Sequence, residues 1–124
     1  MEANKIIITG AATRIGAAIA KKLSGPGVEM IIHYNRSKFE AEKLQKELLK
    51  NKTKVFLVKG DLAKEQDLKK IIKFSKSKLK YFDCLINNAS LFENDSLKNF
   101  SSKSWNQHLD VNLKAPAYLS LIHI

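Results

Sequence analysis

Lys5-Ile6-Ile7-Ile8-Thr9-Gly10-Ala11-Ala12-Thr13-Arg14-Ile15-Gly16 is the stretch that decides the fold. Lys5 to Thr9 is a short, continuous apolar run, which is how a strand buried on both faces of a parallel sheet reads. Gly10 to Thr13 is a turn, and a helical stretch follows from Ile15 to Leu23. A Gly-bearing turn between a strand and a helix is the context that a dinucleotide phosphate site requires. Gly10 permits the tight turn, small Ala11 and Ala12 let the backbone approach a pyrophosphate, and Gly16 lets the helix pack close to the sheet. Free N–H groups at the helix start then face the anion, aided by the helix dipole. An isolated Gly-x5-Gly also fits a plain strand-to-helix turn. The rest of the chain has to arbitrate.

Moving outward, the first helix is expected to stop at Ser24-Gly25-Pro26-Gly27, where Gly can take a left-handed cap and Pro forbids continuation. Val28 to Tyr34 is the second strand. Ser37 and Glu40 have capping-box spacing, and Ala41, Leu44 and Leu48 then recur on one helical face to about Lys50. Strand three is Lys54 to Lys59, helix three Lys64 to about Lys78, and strand four Phe82 to Asn87. Ser101 or Ser102 can cap a last helix holding Trp105, Leu109, Val111, Leu113 and the tail to Ile124. Strands alternating with helices predict an α/β fold: a Rossmann-like doubly wound parallel sheet, four strands in the order 3-2-1-4, helices on both faces, one domain over residues 1-124.

Composition excludes several classes. The N-terminus has no signal-peptide pattern, and no apolar run approaches the roughly 20 residues that cross a bilayer. A soluble, cytoplasmic protein without membrane attachment is expected. Cys84 is the only cysteine, so no internal disulfide forms, and its apolar strand context predicts a buried, inert thiol. The net charge of +10 raises nucleic acid as a partner, but only two of the 22 basic residues are arginine. The densest lysine run, Lys64 to Lys80, interleaves with Leu68, Ile71, Ile72 and Leu79 as the solvated face of a helix does. Nucleic acid is not the expected partner, and no His, Cys or carboxylate spacing suggests a metal.

Thr9-Gly10-x-x-x-Arg14-Ile15-Gly16, Asp61-Leu62, Asn87-Asn88-Ala89-Ser90 and Asp110-Val111-Asn112 stand in the order and rough spacing of one family. With these four motifs the chain resembles the N-terminal half of the short-chain dehydrogenases/reductases. Arg14 where many members have glycine, the run His33-Tyr34-Asn35-Arg36-Ser37, and Ser90 resemble the pteridine reductase and dihydromonapterin reductase-like branch.

Sites that prefer NAD usually place an acid about 20 residues after the Gly motif, to bond the ribose 2′-hydroxyl, and NADP sites place Arg there. The segment after strand two has no acid and carries Arg36-Ser37. A guanidinium grips a 2′-phosphate that a carboxylate would repel. NADP is therefore the expected cofactor, with Arg36 and Ser37 on the 2′-phosphate, Arg14 adding charge from the first loop, and His33 bordering the pocket. Ser37 is at once a helix-cap candidate. The resemblance implies that Asp61 bonds the adenine amino group and Leu62 lines its pocket. Capping of helix three is the other role open to Asp61. It further implies that Asn88 and Ala89 contact the adenosine ribose and brace the sheet, that Ser90 and Phe92 lie beside cofactor and pterin, and that Asn112 holds a water in the proton relay. Phe92 fits stacking on a flat bicyclic ring and equally fits packing on the core.

In the family a tyrosine, with a lysine four residues on, supplies the proton, and a serine polarises the substrate. Those residues are expected on strand five and helix five, beyond Ile124. Tyr34-x-x-x-Lys38 matches the spacing formally, but stands after strand two, away from the nicotinamide. His108 and His123 have no partner at triad or ligand spacing and read as surface or packing residues. Three readings stay open. One is an NADP-dependent reductase of a carbonyl or pterin-type small molecule, inactive as this chain alone and a homo-oligomer if full length. The second is a non-catalytic dinucleotide-binding or regulatory module, and the third a basic nucleic-acid binder. An unpaired edge on strand four is expected to favour aggregation or need a partner.

Overall fold

The computed structural model describes residues 4–123, so Ile124, expected at the end of the last helix, lies outside the described residues. Four parallel strands, β1 (Lys5–Ile8), β2 (Glu29–Tyr34), β3 (Lys54–Lys59) and β4 (Cys84–Ile86), form one sheet in the order β3-β2-β1-β4. The register sets Ile7 beside Ile31 on one side and Leu85 on the other. Side chains alternate across a strand, so the apolar runs feed two cores. Ile6, Ile8, Met30, Ile32 and Val55 pack with Ala20, Leu44 and Leu48 of α1 (Arg14–Leu23) and α2 (Lys38–Lys50). Ile7, Ile31 and Val58 pack on the opposite face with Leu68, Ile71, Ala115 and Leu119 of α3 (Glu65–Leu79) and α5 (Ala115–Leu119). Each fully buried isoleucine contributes roughly 1.5–3 kcal/mol, which makes this central ladder the rigid base of the molecule. Among the described residues, no helix is long and apolar enough to cross a membrane.

Several local expectations change. α1 ends without a left-handed glycine: Ser24 is extended (φ −68°, ψ 153°) and its hydroxyl donates to the Lys21 carbonyl at 2.7 Å. The positive φ falls on Gly27 (+82°), in the turn that feeds β2. Ser37 does stand at the start of α2, but its backbone (φ −87°, ψ 55°) is not extended and its hydroxyl makes no cap bond, so the capping box does not form. β4 is three residues long, because past Ile86 the chain turns and Asn88 N–H bonds back to the Ile86 carbonyl at 3.1 Å. Cys84 is half-buried at the margin of one core rather than enclosed by it.

The last helix is not one helix. Ser101 caps α4 (Ser102–Leu109) by accepting the Ser104 N–H at 3.1 Å. A π turn over Asp110–Lys114 follows, then α5 and a 3₁₀ turn over Ser120–His123. Pro116 has no N–H for the carbonyl four residues earlier, and the widened turn, in which Ala115 N–H reaches Asp110, accommodates it. Burial then falls on Ala115, Leu119 and Ile122, while Trp105 and Leu113 are 54% and 67% exposed.

Candidate functional site

The carboxyl ends of all four strands open onto one crevice of about 600 Å³. The turn after β1 supplies Gly10, Arg14 and Ile15, the end of β2 His33 and Arg36, the corner after β3 Asp61 and Leu62, and the exit of β4 Asn88, Ala89 and Ser90. Gly16, Ser37, Phe92 and Asn112 lie off that lining.

Gly10 has φ +59°, and a Cβ there would sit 2.9 Å from the Ala89 Cα. A Cβ on Gly16 would lie 2.5 Å from the Gly10 carbonyl oxygen, 2.6 Å from Asn88 Nδ2 and 2.8 Å from the Ala11 Cα. Gly16 therefore works beneath the crevice, bringing α1 against the turn, as its spacing predicted. Ala11 and Ala12 lie off the lining of the crevice. Both are buried, and the Ala11 N–H is spent on the His33 carbonyl at 3.0 Å. Their smallness serves the core behind the turn. The first-turn N–H groups of α1 have no intrahelical acceptor by geometry, and Thr13 makes no side-chain cap bond. They remain available to an anion.

Two further residues lock the turn to β4. Thr9 Oγ1 accepts the N–H groups of Asn88 (3.1 Å) and Ala89 (3.0 Å), and Asn88 Nδ2 donates to the carbonyls of Thr9 (3.1 Å) and Gly10 (3.0 Å). Asn88 is thus a brace between the two loops that flank the switch point of the sheet. Thr9 stands in the first of the quoted motifs, but its role as the acceptor that holds the exit of β4 was not read from the sequence.

Arg14 and Arg36, the only arginines in the chain, line the same crevice. Arg14 has φ +53°, a left-handed conformation that favours glycine, which accounts for the glycine common at this place in the resembled family. His33 is 2% exposed and uses both ring nitrogens: Nδ1 accepts the Gly10 N–H at 3.0 Å, and Nε2 meets the Gly60 carbonyl at 2.8 Å. It borders the crevice as an inner tie. Burial holds its pKa below the ordinary 6.5, against the raising effect of the Gly60 hydrogen bond. Asp61 does not cap α3, whose first cap position is Lys64. Its Oδ1 accepts the Ala63 N–H at 2.9 Å in a local turn, and the carboxylate stays on the crevice wall.

The loop leaving β4 is held from α4 and the π turn. Asn112 and Leu91 exchange two hydrogen bonds of 2.8 Å. His108, read from the sequence as a surface or packing residue, takes the Glu93 N–H on Nε2 at 3.0 Å while Nδ1 meets the Ser104 carbonyl at 2.7 Å. Phe92 is 81% exposed, so packing on the core is not its role. Lys38 lies 3.9 Å from Glu42 on α2, and neither it nor Tyr34 lines the crevice.

Comparison with known proteins agrees with this geometry. A match to the family described as short chain dehydrogenase runs over residues 4–122. A short-chain dehydrogenase/reductase, FrzI, from Cladobotryum is 30% identical over 91% of this chain and 44% of its own length. The crystal structure of FolM, alternative dihydrofolate reductase 1, from Brucella canis complexed with NADP superposes with a TM-score of 0.86 at 30% identity, covering 96% of this chain and 47% of that one. A short chain dehydrogenase from Burkholderia cenocepacia in complex with NADP gives 0.89 at 25% identity, over 95% of this chain and 48% of that one. The chain spans about half the length of the relatives it matches.

Proposed function

The chain belongs to the short-chain dehydrogenase/reductase family, and from that premise we propose that its crevice binds NADP as the nucleotide half of a reductase acting on a carbonyl or pterin-type small molecule. The observation that carries this reading is the convergence of Arg14 and Arg36 on one crevice whose floor is the Gly10 turn. The donor set fits a phosphorylated dinucleotide: first-turn N–H groups for the pyrophosphate and two guanidinium forks for a 2′-phosphate. Ser37, whose hydroxyl is free of cap duty, stands next to Arg36 and can add a third donor. Asp61 and Leu62 are assigned to the adenine end, Asn88 and Ala89 to the ribose, and Ile15 and Ser90 to the wall near the nicotinamide. When bound, the cofactor supplies a hydride.

Asn112 is assigned to the proton path. Pro116 occupies the position whose N–H would otherwise bond the Asn112 carbonyl, so that oxygen can hold a water. A pterin-type substrate is supported by the 30% identity to the Brucella canis dihydrofolate reductase and by Phe92, which presents an open ring on the loop after Ser90. The non-catalytic module remains the second reading, because Tyr34 and Lys38, the one Tyr-x-x-x-Lys pair of the chain, do not line the crevice.

Calorimetric titration tests the cofactor assignment. NADPH should bind more tightly than NADH, and Arg36→Ala should weaken NADPH by about tenfold, the value of one charge-assisted bond pair, while leaving NADH unchanged. Equal affinity for the two nucleotides would remove the NADP assignment. NADPH-dependent reduction of a dihydropterin by this chain alone would exclude the module; its absence is the outcome expected of both readings.

A further inference from the structure

We propose that His33 is the positioning residue of the nucleotide site: the neutral ring ties the phosphate turn to the adenine-side corner, and protonating it releases the tie and weakens nucleotide binding. The proposal rests on the reading of the crevice as an NADP site.

The argument starts from hydrogen-bond inventory. A neutral imidazole offers one donor and one acceptor, and an imidazolium offers two donors. Nδ1 faces a donor, the Gly10 N–H at 3.0 Å, and Nε2 faces an acceptor, the Gly60 carbonyl at 2.8 Å. Only the neutral ring with its proton on Nε2 satisfies both. The backbone of the same residue adds a third tie, since the His33 carbonyl accepts the Ala11 N–H at 3.0 Å. One side chain on β2 thereby sets the spacing between the turn after β1 and the corner after β3. Gly60 itself is pinned from the other side, its N–H bonded to the Tyr34 carbonyl at 3.0 Å, and Asp61, which follows it, has its N–H held by Asp67 at 2.8 Å.

Both tied loops carry crevice-lining residues, Gly10 and Arg14 on one and Asp61 and Leu62 on the other. A dinucleotide must span them at once, so a ring that fixes their separation acts on affinity without touching the ligand. Protonation would set an Nδ1–H against the Gly10 N–H at 3.0 Å, a donor facing a donor. The turn would have to move, and with it the first-turn N–H groups of α1. The charged groups that act on the ring are Asp61, past β3, which raises its pKa, and Lys70, on α3, which lowers it. Burial is the larger influence and keeps the ring neutral near pH 7.

An imidazolium beneath a pyrophosphate would also attract it, so the sign of the pH effect discriminates between repositioning and simple charge. NADPH titrations of the wild type, His33→Asn and His33→Leu from about pH 8 to about pH 5 provide the test. Asn keeps an acceptor near the Nδ1 position and cannot titrate. At the upper pH, His33→Leu should bind about tenfold more weakly than wild type, and His33→Asn, which keeps the Gly10 acceptor but loses the Gly60 tie, about threefold more weakly. On acidification the wild type should lose about fivefold more affinity than His33→Asn, the worth of one hydrogen bond. The 2′-phosphate also titrates, with a pKa of about 6, but equally in both experiments, so the difference isolates the ring.

Coincident pH profiles, or a wild type that gains affinity in acid relative to His33→Asn, would overturn the proposal while leaving the NADP reading standing. Absence of NADPH binding to the wild type at the upper pH would overturn both. If His33→Leu does not fold, the comparison of wild type with His33→Asn still decides.

Discussion

Leu91 and Asn112 bind each other twice: the Leu91 N–H donates to Asn112 Oδ1 and Asn112 Nδ2 donates to the Leu91 carbonyl, both at 2.8 Å. A side-chain amide that mimics a strand partner in this way moors the loop leaving β4 to the π turn. One helical turn earlier, His108 takes the Glu93 N–H from the same loop. Asn112 therefore has a structural duty in its side chain, separate from the relay role assigned to its carbonyl.

Asn112→Ala should loosen that loop. Both bonds are exposed, so the global loss should be small, about 1 kcal/mol. Hydrogen exchange at the Leu91 amide should instead quicken by about tenfold or more, the local value of losing its acceptor. Unchanged Leu91 protection would show that the mooring comes from elsewhere.

Gly16→Ala should be far costlier. The added methyl meets the Gly10 carbonyl, Asn88 Nδ2 and the Ala11 Cα, two of them backbone atoms that cannot swing aside. Overpacking of this kind costs about 1–3 kcal/mol, readable as a lower denaturation midpoint at constant m-value. NADPH affinity should drop with it, because the displaced atoms are those of the phosphate turn. A variant as stable as wild type would mean that α1 can slide outward freely.

Arg14→Gly should separate stability from binding. Left-handed backbone costs a non-glycine residue about 1–2 kcal/mol, and the looser unfolded glycine chain returns about 0.4–1 kcal/mol of that. The variant should therefore be as stable as wild type or slightly more so, yet bind NADPH about tenfold more weakly for want of a guanidinium. Parallel chemical denaturation and calorimetry check the two halves. A fall in stability would show that Arg14 makes contacts within the folded chain that outweigh its strain.

Stability should depend on pH through His33. Its folded pKa lies below the unfolded value of 6.5, so the unfolded chain takes up a proton first as pH falls. The contribution of the neutral ring is fully present above about pH 6.5 and declines between that value and the lower folded pKa. Melting temperatures of wild type should fall over this window by more than those of His33→Asn. Parallel curves would remove His33 as the source.

The fold was legible because β1, β2 and β3 each carry a short apolar run (Ile6–Ile8, Met30–Ile32, Val55–Val58) and are separated by amphipathic stretches, the pattern of a parallel sheet covered on both faces. The glycines were legible for the same kind of reason: Gly10 and Gly16 stand where a strand must turn tightly into a helix, and the structure fills both places where a Cβ would go. Misreadings cluster where a short-range pattern has several outcomes. Ser37-x-x-Glu40 has the right spacing for a capping box but the wrong backbone angles, the left-handed glycine of Ser24-Gly25-Pro26-Gly27 proves to be Gly27 in the turn to β2 rather than a cap on α1, and the single last helix is divided by the π turn ahead of Pro116.

Local chemistry thus marked the alternation of strands and helices and the glycine turn into the first helix, since periodicity and turn preference act between near neighbours along the chain, and the rules for parallel crossovers supplied the strand order. Only the tertiary structure could decide that His33 ties Gly10 to Gly60, that Thr9 and Asn88 clasp each other across 79 residues, and that His108 and Asn112 hold the loop after β4. Each of those bonds joins groups far apart in sequence, and no pattern within one segment records which distant donor a folded sheet will bring to about 3 Å from it.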